Sequence, residues 1–280
     1  MITRRAFAAG FLPPADFPDI RSVKPDLETP PMVDAEPAAG RRVRHSLAAW
    51  RGSQVYHALY LPSDWKPEGR YPIVAEYAGN GNYRNEYGDV SLGVPEGSNL
   101  GYGLSGGKGF LWICLPYVNT WERKNQITWW GDIAATTAYC AQAIEMLCER
   151  FGGDSKRVLL AGFSRGSIGC NFLGLRDDRV ASLWRAFLCY SHYDGVRNWP
   201  YISPNEREEA LERLRRLNGR PQFICHERST DDIRQYLAGT GVKAPFEIHT
   251  LPFRNHNDAW TLRDIPLRRK LRKWVSEAMA

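Results

Sequence analysis

The stretch Leu159-Leu160-Ala161-Gly162-Phe163-Ser164-Arg165-Gly166-Ser167 reads as a strand, a tight turn and the start of a helix. The apolar residues at its beginning predict a short buried strand. The two glycines flank the central serine in a Gly-x-Ser-x-Gly pattern, and they let the backbone fold tightly enough to lift the hydroxyl out of the sheet. The pattern therefore predicts that Ser164 is a nucleophile. The alternative is a glycine-rich helix start in which Ser164 or Ser167 is only a cap.

The composition is that of an ordinary globular protein. The 280 residues are 43% hydrophobic and 24% charged, and the net charge of +6 is mild. Basic residues are spread along the chain apart from two stretches, 207–220 and 263–273, that resemble solvated helix faces, so nucleic-acid binding is not indicated. No apolar run reaches about eighteen residues, and no membrane-spanning segment is expected.

The cysteines predict neither a disulfide framework nor a zinc site. All six lie mostly in apolar runs without Cys-x-x-Cys spacing, which is typical of small core residues: positions 114, 140, 148, 170, 189 and 225.

Strands and helices alternate along most of the chain. Four strands are predicted before the serine strand from apolar runs: residues 45–50 and 54–61, which form a hairpin, 71–77 and 109–116. A helix is expected from Asp132 to about Arg150. Because a strand, a helix and the serine strand follow in this order, the sheet should be parallel with right-handed crossovers.

The same alternation continues after the serine. Three strands are predicted: residues 186–190, 222–226 and 245–251. One helix, residues 167–175, is expected before these strands. The others are expected between and after them: 206–217, a helix toward Leu237, and an amphipathic C-terminal helix. The predicted fold class is α/β, with a mostly parallel central sheet and helices on both faces.

In this order of elements, residues 43–280 resemble the α/β-hydrolase superfamily, and within it esterases of the polyhydroxybutyrate-depolymerase and feruloyl-esterase type. The matching motifs are the strand Tyr71-Pro72-Ile73-Val74 leading to Gly79, the approach Asp154-Ser155-Lys156-Arg157-Val158 to the serine turn, and a late histidine followed by a helix. Arg165 departs from those esterases, which usually carry a small or apolar residue after the serine. Glucuronoyl esterases have Gly-x-Ser-Arg-x-Gly, which this chain matches in part.

A serine nucleophile needs a base, and the base needs a carboxylate to orient it. The resemblance implies the order serine, acid, histidine. His256 lies in the loop after the last predicted strand and is expected to be the base, whereas the other five histidines are expected to be packed or surface residues: His45, His57, His192, His226 and His249.

The acid is less determined than the base. Asp231 is favoured because it lies five residues past a strand end, and Glu227, Asp232 and Asp194 remain alternatives. The competing interpretation is that Ser229 caps the next helix, whose dipole the two aspartates complement.

An oxyanion hole is expected where the strand 71–77 ends. Backbone N–H groups from Gly79 and Asn80, together with that of Arg165, would hold the developing charge, a contribution worth about 3–4 kcal/mol for one such donor. The alternative is a plain Gly/Asn turn. We also hypothesise that the Arg165 side chain lends positive charge to the oxyanion site or to a carboxylate of the substrate.

The predicted function is that of a serine esterase without metal or organic cofactor. Aromatic residues concentrated in presumed loops suit carbohydrate-linked or aryl esters: Tyr83, Tyr87, Trp121, Trp129, Trp130, Tyr193, Trp199 and Tyr201. The expected partner is a small-molecule or polysaccharide ester. Two alternatives are a serine peptidase of the prolyl-oligopeptidase type and a non-catalytic carbohydrate-binding protein of hydrolase fold.

The N-terminal segment, residues 1–42, is predicted to be an arm outside the catalytic domain of residues 43–280. Thr3-Arg4-Arg5-Ala6-Phe7 resembles a twin-arginine export signal. The apolar segment behind it is only seven residues long, the lower limit for such a signal. Export to the periplasm and a cytoplasmic location both stay open.

Overall fold

The computed structural model describes residues 17–199 and 206–280. Within these ranges twelve strands are formed: β1 (Arg42–His45), β2 (His57–Tyr60), β3 (Tyr71–Tyr77), β4 (Tyr83–Arg84), β5 (Val90–Ser91), β6 (Leu111–Leu115), β7 (Val118–Asn119), β8 (Lys124–Asn125), β9 (Gly153–Phe163), β10 (Ala186–Tyr190), β11 (Gln222–His226) and β12 (Phe246–Thr250). Eight of them form the central sheet in the order β1-β2-β6-β3-β9-β10-β11-β12. In this order, neighbouring strands from β6 to β12 pair in parallel. The β1–β2 and β2–β6 pairs are antiparallel.

Helices cover both faces of this sheet. They are α1 (Leu100–Ser105), α2 (Ile133–Phe151), α3 (Arg165–Phe172), α4 (Asp178–Ala181), α5 (Glu206–Arg215), α6 (Asp231–Thr240) and α7 (Pro266–Ala278). Successive side chains of a strand point to opposite faces. Ile73 and Ala75 accordingly pack in the core shared with α2 and α3, and Val74 packs in the core shared with α1 and α7. The predicted α/β class with helices on both faces is confirmed.

The predicted strand at residues 45–50 is wrong, although the antiparallel pairing of the hairpin is confirmed. Residues 42–45 form β1, whereas Ala48–Trp50 form a single 3-10 turn. Side-chain and backbone bonds close that turn, because the Ser53 hydroxyl donates to the Trp50 carbonyl and the Arg51 N–H donates to the Ala48 carbonyl. Local hydrogen bonding of this kind competes successfully with a strand.

The N-terminal segment is described only from residue 17. Residues 1–16, which contain the export-like motif, lie outside the described residues. Beyond them, Ile20 is 2% exposed and packs in the core beside α7. Asp26 forms an ion pair with Arg268 of α7 at 2.6 Å. This part of the segment therefore lies against the sheet domain.

Two predictions from composition can be compared with the described residues. All six cysteines are free thiols, and five of them are buried, as expected of core residues. Within residues 17–199 and 206–280, none of the helices has the length and apolarity to cross a membrane.

The carboxyl ends of the parallel strands bring the chemistry-bearing loops to one edge of the sheet. Gly79 follows β3, Ser164 follows β9, Ser191 follows β10 and Glu227 follows β11. The loop after β12 contributes His256. In open α/β sheets this edge is where ligands bind, and here it holds the candidate site.

Candidate active site

Ser164 lies on a strained turn between β9 and α3. Its φ of 53° and ψ of −113° fall where residues with a side chain are uncommon. Glycines on both sides allow the turn. A Cβ on Gly162 would lie 2.0 Å from the Gly166 carbonyl oxygen, and one on Gly166 would lie 1.9 Å from the Tyr77 carbonyl oxygen. The close backbone packing that the sequence pattern predicts is therefore present.

His256 reaches the serine from the loop after β12. Its Nε2 lies 3.0 Å from the Ser164 hydroxyl oxygen. Aromatic side chains hold the ring in place: Phe163 packs against it with ring centroids 4.8 Å apart, and Tyr83 meets it edge-on at 5.0 Å. The serine and histidine selected from the sequence thus share a hydrogen bond across 92 residues of chain.

Glu227, and not Asp231, is the carboxylate against the histidine. Glu227 Oε1 lies 2.6 Å from His256 Nδ1. Asp231 begins α6, and its backbone N–H donates to the Ser229 hydroxyl at 3.0 Å. The expected Asp231–His256 contact is absent from the described residues, because the start of α6 holds Asp231 on an exposed turn. Glu227 was the second choice from the sequence.

The Ser191 hydroxyl completes the surroundings of the histidine. Its oxygen lies 2.9 Å from His256 Nδ1 and donates to Glu227 Oε1 at 3.1 Å. Ser191 has a φ of 87°, and its side chain is fully buried at the end of β10. Local strain here, as at Ser164, accompanies a precise side-chain placement.

The environment of Glu227 keeps it ionised. Burial by itself raises the pKa of this carboxyl, but His256 opposes that effect through its charge and its hydrogen bond. With smaller contributions from His226 and His192, the pKa of Glu227 is held well below its usual range. An ionised, buried carboxylate at 2.6 Å can orient an imidazole and stabilise its protonated form.

Asp89 fixes the loop that carries His256. Its carboxylate accepts the His256 backbone N–H at 2.9 Å and the Asn255 side-chain amide at 3.0 Å. Asn255 in turn accepts the Ile20 backbone N–H at 2.8 Å. Asp89 is 2% exposed, and it lies between β4 and β5.

The end of β3 offers the backbone donors expected for an oxyanion hole. The Asn80 side chain accepts the Trp129 backbone N–H at 2.7 Å, while its own backbone N–H has no hydrogen-bond partner among the described residues. The Arg165 N–H is the first of α3 and has no partner within the helix. Gly79 approaches Phe163 so closely that a Cβ would lie 2.8 Å from its ring.

The Arg165 side chain holds loops together. Its guanidinium donates to the carbonyls of Gly79 at 2.9 Å and Gly93 at 3.3 Å, and also to that of Trp129. The charged group lies 3.7 Å from the centroid of the Tyr117 ring. Arg165 is 1% exposed and its Nη atoms donate to these carbonyls, so the hypothesis that it binds a substrate carboxylate is not supported by this geometry.

A cleft of about 470 Å³ opens beside the histidine, between the loops that follow β10 and β11. Of the loop aromatics, Tyr83, Tyr193 and Trp199 line it, although Tyr193 is almost entirely buried. Trp130 is buried in the core, and Trp121 is 94% exposed on the hairpin between β7 and β8. Tyr201 lies outside the described residues.

The five histidines other than His256 are buried or half-buried. His57 is fully buried and lies 3.1 Å from His45 and 2.8 Å from the Tyr139 hydroxyl. His192 and His226 line the cleft. Burial, followed by the charge of His256, lowers the pKa of His192 to about 3, so this ring is neutral at pH 7.

Neither of the remaining acid candidates forms a hydrogen bond with His256 in the part of the chain that the structure describes. Asp194 is buried in an ion pair with Arg213 at 2.9 Å. Asp232 is exposed in the first turn of α6, where a carboxylate complements the helix dipole.

Sequence reasoning missed two residues that position the histidine, Ser191 and Asp89. Ser191 ends a strand that was predicted, so its place at the common edge was available as a signal. Asp89 had none, because its partner His256 is 167 residues away.

No protein-family model matches the sequence, and no curated protein matches it. Solved structures are similar in fold. A thermostable esterase aligns with a TM-score of 0.52 and 13% identity, over 84% of this chain and 62% of that one. Porphyromonas gingivalis dipeptidyl peptidase 4 aligns with a TM-score of 0.53 and 12% identity, over 86% and 36%. The AtxE2 isopeptidase aligns with a TM-score of 0.52 and 14% identity, over 85% and 40%.

These similarities establish the fold. The mostly parallel sheet and its neighbours show that the chain has the α/β-hydrolase fold. The chain spans between about a third and three fifths of the length of these proteins. Sequence identities this low support a shared fold but not a shared reaction, so the reaction has to be argued from the side chains.

Proposed function

We propose that this protein is a serine carboxylic-ester hydrolase in which Ser164 is the nucleophile, His256 the base and Glu227 the orienting acid. One observation carries the proposal: the Ser164 hydroxyl lies 3.0 Å from His256 Nε2, and Glu227 lies 2.6 Å from Nδ1 of the same ring. Nucleophile, base and acid in a continuous hydrogen-bonded line are what acyl transfer requires.

In the first step the Ser164 oxygen attacks the ester carbonyl carbon. His256 Nε2 accepts the hydroxyl proton, and the carbonyl π electrons move onto oxygen to give a tetrahedral oxyanion. Throughout the reaction Glu227 accepts a hydrogen bond from the Nδ1–H group of His256, which leaves Nε2 of the neutral ring able to act as the base. The negative charge of Glu227 stabilises the imidazolium that then forms. The N–H groups of Arg165 and Asn80 would hold the oxyanion.

Collapse of the intermediate breaks the bond to the leaving oxygen. His256 gives its proton to that oxygen, the alcohol departs, and the acyl group stays on Ser164. Water then attacks the acyl carbon with His256 again as base, which releases the acid and restores the serine hydroxyl.

Carbohydrate-linked or aryl esters are the proposed substrates, as in the esterase types that the sequence resembles. The support is the aromatic lining of the cleft by Tyr83 and Trp199. Flat side chains on a concave surface suit sugar and aryl rings, which offer an apolar face.

Peptidase activity is the second candidate, because two of the similar structures carry the names of a dipeptidyl peptidase and an isopeptidase. An amide differs from an ester in its leaving amine, which must be protonated before it departs. The same three side chains could serve both reactions.

The test compares 4-nitrophenyl acetate with 4-nitroacetanilide, which share an acyl group, and adds methyl ferulate and an acetylated xylose. We expect turnover of the esters with little turnover of the anilide, and loss of both in Ser164→Ala. The Asp231→Asn variant is the matched control and should retain activity. Absence of ester and amide hydrolysis by folded protein would contradict the proposal, and efficient anilide cleavage would favour the peptidase.

A further inference from the structure

We propose that the cleft beside His256 binds a carboxylate carried by the substrate, through the guanidinium groups of Arg197 and Arg228. The inference rests on the proposed function, because it assigns the substrate class of the same site. Both arginines line the cleft together with Tyr83, His192, Trp199 and Asp232.

A stack of rings holds Arg197 in place. Its Cζ lies 4.1 Å from the centroid of the Trp199 ring. Trp199 packs against His192 at 4.8 Å, and His192 packs against His256 at 5.3 Å. A guanidinium lying on an aromatic face keeps its N–H groups in its own plane, where they can donate two parallel bonds to a carboxylate.

Arg228 contributes the second positive charge from the loop that follows β11. Its backbone N–H donates to His226 Nδ1 at 3.0 Å, and its side chain is exposed. Among the residues that the structure describes, no carboxylate forms an ion pair with Arg197 or Arg228. Arg213 differs, because it forms an ion pair with Asp194 at 2.9 Å.

The acids and histidines of the cleft leave these two charges largely unopposed. Glu227 is buried and engaged with His256. Asp232 is the other acid in the lining, and it is exposed in the first turn of α6. Burial lowers the pKa of both His192 and His226, so their rings are neutral donors and acceptors near pH 7.

A second cavity, on the Gly79 side of the serine, has no cationic side chain in its described lining. It measures about 220 Å³, and its lining combines the apolar side chains of Val90, Leu92, Val94 and Phe163 with the polar ones of Ser91, Ser98, Asn257 and Asp258. Val90 and Leu92 are 47% and 58% exposed. A substrate with an anionic group at one end and an apolar group at the other would match both sides of the scissile bond.

The test uses two pairs of esters that differ in one charge. Mono-4-nitrophenyl glutarate and 4-nitrophenyl pentanoate differ in the acyl part, and 4-acetoxybenzoate and 4-acetoxybenzamide differ in the leaving group. In the Arg197→Gln/Arg228→Gln variant, we expect kcat/KM for the charged member of at least one pair to fall about tenfold or more through KM, with about a twofold change for its neutral partner.

Three further variants make the result specific. Arg51→Gln removes an exposed charge from the loop between β1 and β2 and should change neither substrate. The Arg197→Lys/Arg228→Lys variant should retain more of the charged-ester activity than the double glutamine variant. Asp232→Asn should raise kcat/KM for the charged ester about twofold, because it removes a repulsive charge. Equal losses on charged and neutral esters in the double glutamine variant would overturn the proposal.

Calorimetry separates this proposal from the proposed function. The Ser164→Ala protein should bind the intact charged ester, and the same protein with both arginines replaced by glutamine should bind it at least about tenfold more weakly. Equal affinities would overturn the carboxylate site even if the wild-type protein hydrolyses neutral esters. Charge-dependent binding without any turnover would support the site while contradicting the esterase proposal.

Discussion

At the scale of single residues, the proposal that Glu227 is the acid of the triad can be tested directly. Glu227→Gln should reduce kcat about a thousandfold, because an uncharged amide neither stabilises the imidazolium nor enforces the Nδ1–H tautomer. Asp231→Asn, four residues away on the exposed start of α6, should stay within about twofold of wild type. Steady-state ester hydrolysis by the two variants measures this difference. The reverse ranking would return Asp231 to the triad.

Arg165 is expected to act on the rate through the loops that it holds. Arg165→Lys keeps a charge but lacks the planar fork that reaches the carbonyls of Gly79 and Gly93. We expect kcat to fall about tenfold or more with little change in KM, since the oxyanion donors lose their fixed position. Kinetics and chemical denaturation are measured on the same variant. An unchanged kcat with a lower free energy of unfolding would mean that Arg165 is purely structural.

Individual site residues could be predicted from the sequence only where the position in the chain and the chemistry of the side chain both pointed to the same residue. Ser164 and His256 each occupy a place that the order of strands defines, and the structure joins them by a hydrogen bond. For the acid, Glu227 and Asp231 both follow β11, and the sequence could not show that the chain turns into α6 before Asp231 reaches the histidine. The Arg165 contacts depend on loops that meet only in the folded chain.

At the scale of elements, the turn between β9 and α3 depends on glycine. Gly166→Ala would place a Cβ 1.9 Å from the Tyr77 carbonyl oxygen, so β3 and α3 would have to separate. We expect a loss of about 3 kcal/mol in the free energy of unfolding, measured with urea. Gly239→Ala in α6 meets nothing within 4 Å and should instead stabilise the protein by about 0.5–1 kcal/mol. Similar effects of the two substitutions would contradict the tight turn.

Elements with a strong periodic pattern were predicted well, and those held by local polar bonds were not. The strand at residues 222–226 matches β11, and the strand at 186–190 matches β10. The prediction of a strand at Ala48–Trp50 was wrong, because the hydrogen bond between Ser53 and Trp50 that closes this turn produces no periodic pattern of apolar residues. The elements β4, β5 and α1, within residues 81–109, are too short to produce such a pattern.

At the scale of the whole molecule, buried acids should make stability depend on pH. Burial, followed by repulsion from Asp258, raises the pKa of Glu76 to about 7, and burial raises the pKa of Asp258 to about 6. Between about pH 4 and 7 these two carboxyls therefore bind more protons in the folded state than in the unfolded state, and their contribution to stability falls as pH rises through this window.

The effect is measured by urea denaturation of wild type and Glu76→Gln at pH 5, 6, 7 and 8. The slope of the unfolding free energy against pH should be more negative in wild type than in the variant, which has no carboxyl to ionise at this position, and the two proteins should diverge by up to about 3 kcal/mol between pH 5 and 8. An identical slope in both proteins would show that Glu76 does not titrate in this range.

The fold as a whole was the most predictable level, because it needs only the succession of strands and helices. Parallel strands on either side of β9 place their carboxyl ends at one edge, so residues from five distant segments must meet there. What meets there in detail depends on side-chain packing. The cleft that contains Arg197 and Trp199 is formed by two loops. The residues of these loops follow no periodic pattern, so the cleft could not be predicted from the sequence.

The most direct test of the account is whether Ser164 is an activated nucleophile. Wild type, Ser164→Ala and Glu227→Gln are incubated with a fluorophosphonate, and the intact mass of each protein is followed with time. We predict a single adduct on wild type, none on Ser164→Ala and much slower labelling of Glu227→Gln. A folded wild-type protein that takes up no adduct, or one that is labelled equally well without Ser164, would contradict the catalytic triad.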